Sequence, residues 1–124
     1  MASASLQTVA FAAPGGEICP PSRGRPIDLV HLTRQTLGDR ALEKEILSLF
    51  IQQAVSVKER IARATSKERA MMAHGLRGSA SGVGAFNVAE LAKAIEHDPD
   101  DKSLVSRLAA SIDDVRDFVA AINR

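Results

Sequence analysis

Apolar residues recur at three- and four-residue steps along most of the chain after Pro26. This spacing matches an α-helix of about 3.6 residues per turn, with the apolar side chains on one face. No stretch alternates with period two for long, as a half-buried strand would. The pattern therefore predicts an all-α protein, with long helices over about 39–64, 67–82 and 86–97 and a last one from Asp98–Pro99 to about Ile122.

Each predicted long helix has a buried stripe of mostly aliphatic residues. The stripes consist, helix by helix, of Leu42, Ile46, Leu49, Phe50, Val57 and Ile61; of Met72, Leu76, Ala80 and Val83; of Phe86, Val88, Leu91, Ala92 and Ile95; and of Leu104, Leu108, Ile112, Val115, Phe118 and Val119.

Residues that cap helices mark a short helix before the long ones. Asp28 and Asp39 can each accept a hydrogen bond from the first turn of a helix, and Gly38 can end the helix between them. A short helix from Asp28 to about Leu37 is therefore predicted.

The connections between the long helices are short. Thr65–Ser66 offers a cap, Gly84 permits a turn, and Asp98–Pro99 fits a cap followed by proline at the first helical position. Short connections force neighbouring helices to run antiparallel. We predict an antiparallel up-down four-helix bundle, with the short N-terminal helix capping one end.

The first 26 residues differ from the rest, because four of the five prolines and three glycines are concentrated there. Such residues interrupt regular structure. We expect a flexible N-terminal tail over 1–26 and one domain over 27–124, a length that suits a single hydrophobic core.

Composition narrows the class of protein and its setting. The formal net charge of +1 gives no electrostatic reason to expect nucleic acid or an anionic membrane as a partner. Cys19 is the only cysteine, so an intramolecular disulfide and a CxxC metal site are excluded. No window approaches about 18 uninterrupted apolar residues, and no basic residue precedes the short apolar run at the N-terminus. We expect a cytoplasmic protein.

His74 lies on the polar face of the third predicted long helix. At about 100° per residue, it shares that face with Arg77 and with the small residues Ala70, Gly78 and Ser81, whereas the apolar stripe lies opposite. Glycine in a helix interior costs about 0.5–1 kcal/mol relative to alanine. Gly75 and Gly78 therefore indicate either close packing against a neighbouring helix or close approach by a partner.

The surroundings of His74 limit its chemistry. Its face carries no second metal ligand at a three- or four-residue step, and no serine or cysteine nucleophile with an obvious elbow accompanies it. An exposed neutral imidazole can itself be a nucleophile toward a phosphoryl group. Arg77, one turn away, can contact the phosphoryl oxygens through charge-assisted hydrogen bonds. His31 and His97 are poorer candidates.

The segment "AHGLRGSASGVGA" followed by "LAKAIE" resembles the signature of histidine-containing phosphotransfer (HPt) domains of bacterial two-component phosphorelays. The resemblance implies that His74 accepts the phosphoryl group and that Arg77 keeps a cation where the family more often has lysine. Glu96 stands where the family places a Gln or Glu that accepts a hydrogen bond from the imidazole. Gly75 is smaller than the residue common in the family, which predicts a locally softer helix.

The resemblance also implies the partners. Receiver domains of a hybrid histidine kinase and of a response regulator would dock on a face formed by Ala70, Gly78, Ser81 and Gly82. The chain would be a monomeric phosphocarrier without an ATP site or cofactor of its own, and any Mg²⁺ would come with the receiver. Residues 58–77 carry a net +4 and residues 90–117 a net −4, and the positive half would steer docking to an acidic receiver pocket.

Two other functions stay open from the sequence. A helical adaptor without phosphotransfer would have the same bundle. A helix-turn-helix DNA-binding protein would use residues 67–96, although its recognition helix would then hold only Lys93 against Glu90 and Glu96.

Overall fold

The computed structural model describes residues 25–123, which form helices and connecting turns without a strand. In chain order the helices are α1 (Leu29–Thr36), α2 (Arg40–Ile61), α3 (Ser66–Val83), α4 (Phe86–His97) and α5 (Lys102–Ile122). Consecutive long helices pack on each other, α5 packs back on α2, and α1 packs on α2 and α3. The predicted all-α four-helix bundle with a short N-terminal helix is confirmed. Residues 1–24 of the predicted tail, with Cys19, lie outside the described residues.

Side-chain caps begin the first three helices where the sequence predicts them. Asp28 and Asp39 accept hydrogen bonds from the first turns of α1 and α2. Thr65 forms a capping box with Glu68, in which each side chain binds the other residue's backbone N–H. Helix α1 ends at Thr36; its C-cap Leu37 has a left-handed φ of 54°, and Gly38 follows with a φ of 80°.

The predicted start of the last helix at Asp98–Pro99 is wrong. Asp98 instead ends α4, where its backbone N–H donates to the carbonyl of Ala94. The cap of α5 is Asp101, which accepts hydrogen bonds from the Ser103 and Leu104 backbones. The Ser103 hydroxyl also donates to Asp101, and these bonds hold the pKa of Asp101 below its ordinary value.

The predicted core stripe of α2 is confirmed at Phe50, Val57 and Ile61 but wrong at Leu42 and Leu49. Leu47, which was not predicted, is buried, whereas Leu42 and Leu49 are 41% and 59% exposed. Leu47, Phe50 and the residues that follow at helical spacing form the face that packs on the other helices. The predicted stripes of α4 and α5 are largely confirmed, although Phe86 is 37% exposed.

Helices α3 and α4 make the most extensive contact in the bundle. Both bury alanines in the core: Ala73 and Ala80 in α3, and Ala89 and Ala92 in α4. Small side chains at a contact allow two helix axes to approach more closely than large ones do. We call these four buried residues the alanine seam, and their small side chains suit the extensive contact between α3 and α4.

The turn between α3 and α4 requires glycine. Gly84 has a φ of 88°, and a Cβ there would lie 2.9 Å from the carbonyl oxygen of Asp28. The backbone N–H of Asp28 donates to the carbonyl of Gly84 at 2.9 Å. The start of α1 is therefore joined to the α3–α4 turn, and Ile27 beside it is fully buried.

Arg69 is a buried arginine that the sequence pattern does not reveal. Only 8% exposed, it donates to the carbonyls of Ile61, Ala62 and Ala64 at the end of α2 and to that of Pro99 before α5. The terminal carbonyls of a helix have no partner within the helix. Arg69 supplies donors to them and ties three elements together at one end of the bundle.

Candidate functional site

The imidazole of His74 projects from the outer face of α3, and its side chain is 70% exposed. Its Nδ1 lies 2.9 Å from Oε2 of Glu96, which reaches across from α4. An ionised carboxylate can only accept a hydrogen bond, so the proton lies on Nδ1. When the ring is neutral, Nε2 then holds the free lone pair.

The second oxygen of Glu96 faces Arg77. Nη1 of Arg77 lies 3.0 Å from Oε1, and the Glu96 side chain is only 19% exposed. Oε1 is buried and accepts no hydrogen bond from the described residues, so the contact is an ion pair without an aligned N–H···O bond. Glu96 therefore lies between the imidazole and the guanidinium, with one oxygen toward each.

The glycines beside His74 have open space next to them. A Cβ built on Gly75, Gly78 or Gly82 meets no atom within 4 Å. Close packing against a neighbouring helix therefore does not explain Gly75 and Gly78, and that alternative is wrong. Because these glycines have no side chains, nothing projects from their positions on the α3 surface near the imidazole.

The remaining residues of the predicted docking face lie on α3 and form no hydrogen bond with the imidazole. Ser81 and Gly82 are exposed, and Ala70 is half-buried. The carbonyl of Gly82 accepts a hydrogen bond of 3.1 Å from Nε2 of His31, whose ring stands edge-on to Phe86 at 5.1 Å. His31 thus attaches α1 to the far end of this face.

Sequence reasoning missed Met71 and Lys67 on the same face. Met71 is 68% exposed, and Lys67 is exposed as well. At about 100° per residue they lie within about 60° of His74. The same helical wheel that singled out Arg77 could have found them, but the apolar Met71 reads as a core residue in sequence.

Part of the predicted charge separation is used inside the protein. Arg69 is buried on backbone carbonyls, and Lys58 pairs with Asp113 of α5 at 2.6 Å. The hydrogen bond from Lys58, together with the nearby charge of Arg116, holds the pKa of Asp113 below its ordinary value. The positive surface that remains around α3 is therefore smaller than the sequence sum of +4 indicates.

Residues 25–123 contain no cluster of three or more His, Cys, Asp or Glu side chains that could hold a metal ion. Among the helices that the structure describes, none is long and apolar enough to cross a membrane.

Fold and site together define a helical-bundle protein with an imidazole exposed on one face and hydrogen-bonded to a carboxylate. The family model for the Hpt domain matches residues 45–118, from α2 to α5, and the chain belongs to this family. Hpt domains are phosphocarrier modules of histidine phosphotransfer in phosphorelays, and they interact with receiver and kinase domains of two-component systems. Comparisons with curated proteins and with solved structures gave no match.

Proposed function

We propose that this protein relays a phosphoryl group between aspartates of two receiver domains through a phosphohistidine at His74. The observation that carries the proposal is the 2.9 Å contact between Nδ1 of His74 and Glu96, with the rest of the ring exposed. The carboxylate orients the ring and keeps the proton on Nδ1. Nε2 is thereby left as the nucleophile on the outer side of α3.

In the transfer step, the Nε2 lone pair attacks the phosphorus of an aspartyl phosphate. The N–P bond forms as the P–O bond to the aspartate breaks, and the freed carboxylate leaves with the electron pair. The ring gains positive charge while Nδ1 keeps its proton. Glu96 stabilises that charge, since a preorganised carboxylate acts where charge develops. The reverse reaction delivers the phosphoryl group to a second receiver.

The face around His74 would receive the receiver domain. Arg77 would contact the phosphoryl oxygens, and Ala70, Gly78, Ser81 and Gly82 would form the docking face. The open space at Gly78 and Gly82 supports this assignment, because each glycine weakens the helix and no internal contact explains it. The acidic pocket of the receiver would bring the Mg²⁺ that the reaction needs.

In this proposal the chain is a carrier without its own ATP site or turnover. Its partners would be the receiver domains of a hybrid histidine kinase and of a response regulator. A monomeric state, a cytoplasmic setting and a flexible tail over 1–26 stay predictions.

The two other functions have less support. In a helix-turn-helix DNA-binding protein the exposed face of α4 would bind the DNA, yet this face carries Phe86, Asn87, Glu90, Lys93 and His97, with only one lysine. A helical adaptor has no use for an imidazole hydrogen-bonded to a carboxylate on an exposed face.

The decisive experiment mixes the protein with a phosphorylated receiver domain and measures label on the chain. We expect an acid-labile, base-stable label in the wild type and none in His74→Gln. His97→Gln is the matched control, because His97 is exposed at the end of α4 and binds only the carbonyl of Lys93. Labelling of His74→Gln at the wild-type level would refute the proposal.

A further inference from the structure

We propose that Arg77 is a positioning residue that exchanges partners during the phosphorelay. In the free protein Arg77 holds the Glu96 carboxylate in the orientation that binds Nδ1, and it leaves Glu96 for the phosphoryl group once Nε2 carries one. The inference rests on the proposed function only for its second half. The first half concerns the unphosphorylated protein.

The contacts of Glu96 carry the first half. Its two oxygens have different partners, Nδ1 of His74 at 2.9 Å and Nη1 of Arg77 at 3.0 Å. The last torsion of a Glu side chain is broad, so a contact at each oxygen restrains the carboxylate more than one contact does. Since Oε1 has no hydrogen bond from the described residues, the charge of Arg77 is what restrains it. Arg77 therefore acts on the imidazole through Glu96.

The weak geometry of the contact between Arg77 and Glu96 supports the second half of the proposal, in which Arg77 leaves Glu96 for the phosphoryl group. Its N–H groups are not aligned on Oε1, and its side chain is 38% exposed, so the ion pair is partly solvated. A phosphoryl group offers three acceptor oxygens and more negative charge than one carboxylate. It also accepts bidentate hydrogen bonds from arginine. Residues three apart on a helix are neighbours, so Arg77 can reach a group on the His74 ring.

The charges match in both states only if Arg77 changes partner. In the free protein, at a pH above the ordinary titration range of histidine, the ring carries no charge and Glu96 pairs with Arg77. In the phosphorylated protein the ring is positive and the phosphoryl group negative. Pairing Glu96 with the ring and Arg77 with the phosphoryl group then leaves no charge without an opposite neighbour.

The first test measures the tautomer of His74 by ¹⁵N NMR of the ring in the free protein, at a pH above the ordinary titration range of histidine. We expect the Nδ1–H form to dominate in the wild type. In Arg77→Gln the ratio of the Nδ1–H to the Nε2–H form should fall about two- to fivefold, the range for a partly exposed ion pair. Arg77→Lys should restore part of the ratio, because lysine keeps the charge.

The matched control is Lys67→Gln, which removes one positive charge from the same face two turns away. Circular dichroism checks that every variant is folded. An unchanged ratio in Arg77→Gln overturns the positioning role, and so does an equal fall in Lys67→Gln, which would indicate a general charge effect.

The second test follows the guanidinium resonances of Arg77 after phosphorylation by a phosphorylated receiver or by phosphoramidate, which releases ammonia as it transfers its phosphoryl group. Exchange predicts that these resonances shift, and that Glu96→Gln leaves their final position unchanged. Resonances that stay in place overturn the exchange. If neither donor labels the wild type, the proposed function and the exchange fail together, while the tautomer ratio still decides the positioning role.

Discussion

Replacing Gly75 and Gly78 by alanine should make this protein more stable. Both lie in the interior of α3, neither has a left-handed backbone, and a Cβ at either position meets no atom within 4 Å. Alanine removes about 0.5–1 kcal/mol of helix cost at each site. If the two gains add, the double variant should gain about 1–2 kcal/mol in the free energy of unfolding.

Urea unfolding followed by circular dichroism measures this gain, because the chain has neither Trp nor Tyr for fluorescence. The midpoint should rise at an unchanged slope. Gly84→Ala is the matched control: with a φ of 88° and a Cβ 2.9 Å from the Asp28 oxygen, it should lose at least about 1 kcal/mol. A double variant that is less stable than the wild type would refute the reasoning.

A large side chain on the same surface should slow phosphotransfer. Gly78→Leu should fold as well as the wild type yet accept phosphoryl groups from a receiver about tenfold more slowly or worse, because displacing reacting atoms by about 1 Å costs up to about a hundredfold. Ala110→Leu on the exposed side of α5 is the control and should transfer at the wild-type rate. Wild-type transfer by Gly78→Leu would show that clearance at this glycine is not needed.

Three further predictions test contacts within the helical bundle that supports the site. Because the pKa of Asp113 is lowered, its contribution to stability is complete above the unfolded value of 3.8 and is lost as the pH falls through the lower folded value. The difference in the free energy of unfolding between the wild type and Asp113→Asn, measured with urea, should therefore be constant near neutrality and shrink in acid. Arg69→Met should lose about 2–4 kcal/mol, because buried carbonyls of α2 lose their donors, whereas exposed Arg63→Met should lose little. Ala92→Leu should cost about 1–3 kcal/mol in the free energy of unfolding by overpacking the alanine seam, and it should lower the fraction of His74 in the Nδ1–H form measured by ¹⁵N NMR. The exposed control Ala120→Leu should change neither quantity.

Most of the fold was predictable because each helix repeats its apolar residues at helical spacing and begins at a residue that can cap it. The α2 stripe was predicted wrongly at Leu42, Leu47 and Leu49 because that helix carries apolar residues on more than one face. The spacing within α2 permits several stripes. Which one is buried depends on where α3 and α5 lie, and a single helix does not contain that information.

The start of α5 was mispredicted for a tertiary reason as well. Asp98, Asp100 and Asp101 are all residues that can cap a helix. Arg69 binds the carbonyl of Pro99 at 2.7 Å, and the hydroxyl of Ser66 binds Asp100. Both partners belong to α3, so these contacts hold the 98–101 segment as a loop and leave Asp101 to begin the helix.

For the candidate site as well, sequence spacing predicts some features and only the structure reveals others. The exposure of His74 follows from the helical wheel, and its closeness to Glu96 follows because residues 74 and 96 lie about equally far from the turn between α3 and α4. The contact of Arg77 with Glu96 does not follow from spacing, because the long side chain of Arg77 has several partners within reach. Only the three-dimensional positions of both carboxylate oxygens reveal it.

The geometry of the imidazole therefore depends on residues that never touch it. Glu96 reaches His74 because α3 and α4 approach closely, and the alanine seam permits that approach. The turn at Gly84 sets the register of the two helices, and Asp28 binds that turn. A change in the seam or the turn should thus alter the reactivity of His74 even when the protein stays folded. Substitutions on the outer faces of α2 and α5 should affect stability alone.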